Sequence, residues 1–201
     1  MLKKHDTAVL VTPIARWLPE IDDADWIGID VGCSVIQNAG REVAFAIGDF
    51  DSGKLDENVP FEVEIHPVAK DETDTELALL WAQSMGYENI LLIGGLGGRL
   101  DHTLANLRCM LWKVPQVVLL EEKQKISVIL PGDYEFTPEY RHISFFAAEP
   151  SVITLEDFDY PLHRRLIDEK DFYTCSNSIS KARAFVRLEK GRVLCVQTSL
   201  Q

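Results

Sequence analysis

"TDTELALLWAQSMGYENILLIGG", residues 73–95, reads as a helix followed directly by a strand. Thr73 with Glu76 three positions on is a capping box, which satisfies amides that the first turn of a helix leaves unpaired. Leu77, Leu80, Trp81 and Met85 then recur at helical spacing, so they are expected to form the buried stripe. Residues 90–93 are a short apolar run closed by glycine, as a buried strand would be. A helix that feeds such a strand is the repeating unit of a parallel sheet.

The same alternation extends in both directions. Upstream, residues 8–11, 26–29 and 43–47 are short apolar runs that end at Gly, Asp or Pro. The first belongs to "MLKKHDTAVLVTPIARW", where Thr12, Pro13 and Arg16 interrupt the apolar run, so a strand is expected there and not a signal peptide. Downstream, residues 101–112 carry Leu104, Leu107 and Leu111 on one helical face, and 116–120 form another strand. The character changes at 121–125, a charged connector. Residues 126–130, 131–136, 142–147, 151–155, 184–188 and 193–197 are then β-branched or aromatic runs, broken by turns such as Pro131-Gly132 and Lys190-Gly191. The expected architecture is an α/β domain with a mainly parallel sheet, residues 1–122, followed by a small all-β domain, residues 123–201. No internal repeat or low-complexity segment is present.

Composition narrows the partners. Of 201 residues, 46% are hydrophobic and 26% charged, which is ordinary for a globular chain, and no apolar run approaches the length of a membrane span. The net charge of −12 lies entirely in residues 1–122, with 9 basic against 21 acidic residues, whereas 123–201 holds 11 of each. Nucleic acid is excluded as a partner, because phosphate attraction needs a basic face. Cys33, Cys109, Cys175 and Cys195 are scattered without zinc or disulfide spacing, as are the five histidines, which fits reduced thiols in a cytoplasm.

Four stretches carry chemistry, and each is expected just past the carboxyl end of a strand, where open α/β sheets bind ligands. They are "GIDVG" with Asp30, "GDFDS" with Asp49 and Asp51, "KDETD" with Lys70, Asp71 and Asp74, and "GGLGGRLDHTLAN" with Arg99, Asp101, His102 and Asn106. Closely set carboxylates repel unless a cation lies among them, and aspartate oxygens with retained water suit Mg²⁺, above all with phosphates completing its shell. Glycines admit backbone amides to a phosphate ahead of a helix start, and Arg99 can grip phosphate oxygens with two parallel bonds. Gly48 is expected to let the chain turn into the Asp49–Asp51 pair. The set points to Mg²⁺ with a polyphosphate. Taken singly, each stretch has a plainer reading: turn-forming aspartates, a helix start, a flexible turn, a capping or core histidine. The glycine stretch is not a P-loop, since Gly-Lys-Ser/Thr is missing, and the dinucleotide fingerprint fails at Leu100.

"GDFDS", "KDETDTELAL" and "GGLGGRLDHTLANL", in this order, resemble the thiamine pyrophosphokinase family in its bacterial form, from about Asp30 to the C-terminus. The resemblance implies a transferase and kinase of thiamine diphosphate biosynthesis. It would move pyrophosphate from ATP to the hydroxyethyl group of thiamine, giving thiamine diphosphate and AMP. It further implies an α/β domain followed by a β-sandwich, and a homodimer with composite active sites. By motif match, Asp49, Asp51 and Asp74 would hold Mg²⁺ and the ATP phosphates, with Asp30 and Ser52 beside them. Lys70, Asp71 and Thr73 would line the nucleotide side, with Gly97, Gly98 and Arg99 at the phosphates. Asp101 would meet the thiamine hydroxyl, His102 and Asn106 would shape the floor, and Ser176 and Asn177 of "CSNS" would contact the pyrimidine. The sequence departs from the family pattern at Val31, at Thr12-Pro13 and at Cys175, where glycine is usual. Two other functions share the acidic motifs: a diphosphokinase acting on a pterin alcohol, and a nucleotide- or thiamine-binding module without turnover.

Overall fold

The computed structural model describes residues 3–51 and 59–199, and the chain divides into two compact units, 1–122 and 123–201. In the first unit, strands β1 (Thr7–Val11), β2 (Asp25–Ile29), β3 (Phe45–Gly48), β4 (Glu62–Ile65), β5 (Asn89–Ile93) and β6 (Val117–Glu121) run parallel in the order β4-β3-β2-β1-β5-β6. Helices α1 (Gly32–Asn38), α2 (Asp74–Ser84) and α3 (Leu100–Trp112) connect them. The chain therefore steps outward from β1 to β4, then crosses back to place β5 on the other side of β1. That reversal opens a crevice at the carboxyl ends of β1 and β5, the switch point of a doubly wound sheet.

Central strands are apolar because they are covered: Val9, Leu10, Ile90 and Leu92 are fully buried. The edge strand β4 is half-exposed, and its "EVEI" carries too little hydrophobic signal to be read as a strand from sequence. α1 escaped the sequence reading as well, being a seven-residue helix without a side-chain cap.

Both long helices form where expected, yet each buries a different face. In α2 the buried residues are Thr75, Ala78, Leu79 and Ala82, while Leu77, Leu80, Trp81 and Met85 are only half-buried. The small alanines let the helix axis approach the sheet, and Trp81 lies beside the contact, stacked on Phe45 of β3 at 4.3 Å and 8°. In α3 the buried residues are Asn106, Cys109 and Met110, whereas Leu104 is 53% exposed. A polar residue displaces leucine there because Asn106 has a buried carbonyl to satisfy, as shown below.

The second unit is a sandwich of two antiparallel sheets. Strands β7 (Gln124–Ile129), β9 (His142–Ala147) and β13 (Val193–Thr198) form one, in the order β7-β13-β9. Strands β8 (Gly132–Phe136), β10 (Ser151–Glu156), β11 (Leu162–Ile167) and β12 (Ala184–Lys190) form the other, in the order β11-β10-β12-β8. Residues of both sheets meet in one core around Phe145, which makes edge-on contacts with Phe136 and Phe158 at 6.1 and 5.6 Å. An α/β unit followed by an all-β sandwich is the architecture the sequence implied. Only β11 was unforeseen, because His163, Arg164 and Arg165 in a row break the alternation of a strand.

Candidate active site

Each of the four chemical stretches follows a strand of the first unit: Asp30 after β2, Asp49 and Asp51 after β3, Lys70–Asp74 after β4, and the glycine stretch after β5. Two non-glycine residues at these ends hold left-handed backbones, Asp30 with φ of 50° and Phe50 with φ of 54°. Such conformations persist only where surrounding structure enforces them. Asp30 donates its N–H to Ile47 O at 2.8 Å. A Cβ at Gly48 would stand 2.9 Å from Asp30 Cα. Gly48 is therefore required for the close approach of two strand ends and not, as the sequence suggested, to turn the chain.

A cavity of about 420 Å³ opens at the switch point. Asp30, Asp51, Thr73 and Asp74 line one side, and Gly97, Gly98, Arg99, His102 and Asn106 the other. Asp49, Lys70, Asp71 and Asp101 stand outside that lining, and Ser52 lies outside the described residues. Gly94 and Gly95 of the glycine stretch line the cavity too, as do Thr12 and Pro13, which were not among the expected ligand-binding residues. The strand-end rule would have found Thr12 and Pro13, which directly follow β1.

Lys70 organises the acidic side. Its ammonium donates to Asp49 Oδ2 at 2.8 Å and to Pro67 O at 3.2 Å, and lies 3.0 Å from Asp74 Oδ1. The hydrogen bond from Lys70 holds the Asp49 carboxyl below the usual carboxylate range. Desolvation pulls the Lys70 ammonium down, but its hydrogen bond to Asp49 and the nearby Asp74 charge outweigh this and raise it overall. Asp49 Oδ1 accepts the Asp51 amide at 3.2 Å, so Asp49 is committed on both oxygens. Asp74 Oδ1 is buried and has the lysine charge nearby, but no donor is aligned on it as a hydrogen bond. Among the described residues no three His, Cys, Asp or Glu side chains are placed to enclose a metal ion. Asp51 and Asp74 nevertheless present hard oxygens to the cavity, and the unaligned Asp74 oxygen fits a cation ligand.

On the other side, Arg99 holds Asp101 by two bonds, Nη2 to Oδ2 at 2.6 Å and Nε to Oδ1 at 3.2 Å. The pair is open to solvent, with side chains 74% and 62% exposed. Each partner stabilises the other's charged form, raising the guanidinium and lowering the carboxyl. Asn106 is buried and donates from Nδ2 to Gly95 O at 2.9 Å. Thr73 serves as the N-cap of α2, its Oγ1 accepting from the Glu76 amide at 3.1 Å. The reciprocal arm of the expected capping box is replaced by an ion pair of Glu76 with Lys113.

Ser176 and Asn177 belong to the second unit. Ser176 is exposed with φ of 60° and donates its amide to Ser144 Oγ at 2.9 Å. Asn177 is buried, and its amide group is spent internally: Oδ1 accepts from the amides of Tyr160 and Ser178, while Nδ2 donates to Tyr160 O at 2.9 Å. Asn177 thus fixes the loop that carries Tyr160, which is 70% exposed.

Comparison with known proteins agrees over both units. The family model described as thiamin pyrophosphokinase, catalytic domain, matches residues 21–121. The thiamine pyrophosphokinase of Bacillus subtilis (strain 168) is 30% identical over 186 residues, 87% of each chain. Its fold is also similar: the crystal structure of thiamine pyrophosphokinase from Bacillus subtilis has a TM-score of 0.86 at 27% identity, covering 97% of this chain and 99% of that one. The enzyme from Geobacillus thermodenitrificans gives a TM-score of 0.85 at 27% identity, covering 97% and 98%.

Proposed function

The chain belongs to the thiamine pyrophosphokinase family, and from that premise we propose that it transfers pyrophosphate from ATP to the hydroxyethyl group of thiamine, giving thiamine diphosphate and AMP. The observation that carries this reading is the switch-point cavity, with carboxylates on one wall and open glycines and Arg99 on the other. Asp51 and Asp74 would hold Mg²⁺, which when bound neutralises charge on the phosphate oxygens. Asp49 completes the acidic set through Lys70, and by the family resemblance Asp30 would stand beside the phosphates with Asp71 and Thr73 on the nucleotide side. Gly97 and Gly98 offer backbone amides to the phosphates.

Arg99 exchanges Asp101 for phosphate oxygens. Both side chains are largely solvated, so little is lost when their pairing opens. Asp101, once released, is free to orient the thiamine hydroxyl, with His102 and Asn106 at the floor. Phosphoryl-type transfer asks mainly for positioning and charge neutralisation, which this arrangement supplies. Ser176 and the loop held by Asn177 serve the vitamin, as the family resemblance implies, in a homodimer whose composite sites draw on both chains. The location we infer is the cytoplasm, supported by four free cysteines. Among the described residues no helix is long and apolar enough to cross a membrane.

Incubation of the protein with Mg²⁺, ATP and a panel of thiamine and pterin alcohols, with products identified by mass, tests this. Thiamine diphosphate with AMP is expected. Thiamine monophosphate with ADP would sink pyrophosphoryl transfer, pterin diphosphate alone would reassign the acceptor, and ATP binding without product would leave a binding module.

A further inference from the structure

The two glycine pairs of "GGLGG" do different work. A Cβ at Gly94 would meet Thr12 Oγ1 at 2.2 Å, and one at Gly95 would meet Leu119 Cδ1 at 2.8 Å, so this pair is glycine because its surroundings are full. At Gly97, with φ of 86°, a Cβ would meet nothing within 4 Å, and at Gly98, with φ of 63°, only the flexible end of Ile14 at 3.2 Å. The peptides of the first pair are also spent. Thr12 Oγ1 donates to Gly94 O at 2.8 Å, and Asn106 Nδ2 donates to Gly95 O at 2.9 Å. Their amide side faces Glu121, the last residue of β6, whose Oε1 accepts from Leu96 N at 3.3 Å and whose charge the Gly94 and Gly95 amides also favour. Successive amides converging on one anion form a nest, the device by which loops bind phosphate.

We propose that Glu121 is a positioning residue for ATP: its carboxylate fills the nest of residues 94–96, so that the loop is held rigid and only Gly97 and Gly98 remain open to the phosphates. Three side chains from three elements, Thr12 after β1, Asn106 of α3 and Glu121 of β6, thereby fix one short turn from both its carbonyl and its amide sides. The carboxylate is half-buried; burial pushes its pKa up, and the three amides pull it back. Glu121 does not touch the substrate in this scheme. It acts through the loop, so its loss should register on ATP and leave thiamine alone. This rests on the assignment of the cavity to ATP.

The test compares wild type, Glu121→Ala and Glu121→Gln by calorimetric titration with Mg-ATP and by steady-state kinetics, with and without added formate. Glu121→Ala should lose roughly tenfold to a hundredfold in kcat/KM for ATP, with a matching loss of ATP affinity and a thiamine KM within about twofold of wild type. Formate, a free carboxylate that fits the vacated nest, should restore part of that loss and leave wild type unchanged. Glu121→Gln keeps the size and one accepting oxygen but loses the charge and the second acceptor, so it should lose roughly threefold to tenfold and gain nothing from formate. Unchanged ATP parameters in either variant overturn the proposal, and so does an equal loss toward both substrates with no response of Glu121→Ala to formate. Should Glu121→Ala fail to fold, the Glu121→Gln values decide alone. If wild type binds ATP but forms no thiamine diphosphate, the proposed reaction fails, while the ATP affinities of the three proteins still decide the role of Glu121.

Discussion

Lys70 occupies the place between Asp49 and Asp74 that the sequence alone would have given to a cation. Its charge already relieves the repulsion of those carboxylates, so neutralising Asp74 brings no gain in stability. The pair makes stability depend on pH. Asp49 has a depressed pKa in the folded state, so its contribution is present above its unfolded pKa, about 4, and is lost as pH falls through the lower folded value. Lys70 is raised, so its contribution is present below about pH 10 and is lost only as pH rises beyond the folded value. Denaturant melts of wild type and Lys70→Met should therefore differ at pH 7 and converge as pH falls through the lowered Asp49 value. A gap that persisted at the acid end would show that the lysine stabilises by packing instead of charge. Arg99 gives a second prediction. Arg99→Lys should retain the wild-type melting temperature, because the Arg99–Asp101 pair is solvated, yet lose most turnover, because lysine lacks the planar fork. A wild-type rate in Arg99→Lys would mean that only charge is needed there.

The helices show what periodicity can and cannot reveal. Their positions were legible from the capping box at Thr73 and from leucine spacing, but their buried faces were not. α2 is apolar on several sides, so two stripes competed, and the stripe with the smaller side chains won because it allows the closer approach to the sheet. In α3 a hydrogen-bonding need decided, since the Gly95 carbonyl demanded Asn106, and sequence spacing carries no information about an orphan carbonyl elsewhere. The same distinction separates the glycines. Gly94→Ala drives a methyl into Thr12 and should destabilise the fold severely. Gly97→Ala meets open space and should cost only about 1 kcal/mol for its backbone, while raising the KM for ATP. Equal melting temperatures for the two variants would contradict this division. The helix cap should be worth about 1 kcal/mol, measurable as the loss in Thr73→Ala.

For the whole molecule, the parallel sheet and the sandwich were legible because most of their strands are bounded apolar runs. β4 and β11 were not, because an edge strand and a strand rich in exposed arginine lack that signature. The residues of the acidic and glycine walls were legible from motif chemistry, while Glu121 was hidden because it acts through contacts with a loop distant in sequence. The proposed assembly leads to a further prediction. If each site draws the phosphates' residues from one chain and the vitamin's from the other, Asp51→Asn and Asn177→Ala should complement when co-refolded. Random pairing makes half the dimers mixed, each with one intact site of two, so roughly a quarter of wild-type activity should return. No recovery, with mixed dimers verified by mass, would place each site within one chain.

In the proposed reaction the acidic wall of the switch-point cavity handles the pyrophosphoryl group. The most direct measurement of that role is AMP release with Mg-ATP and thiamine in wild type, Asp51→Asn, Asp74→Asn and a control, Asp133→Asn, whose carboxylate pairs with Arg187 on the β-sandwich. Wild type and the control should release AMP in step with thiamine diphosphate, and both cavity variants should release none while keeping the fold. AMP release at the wild-type rate by Asp51→Asn or Asp74→Asn, at saturating Mg²⁺, would contradict the account.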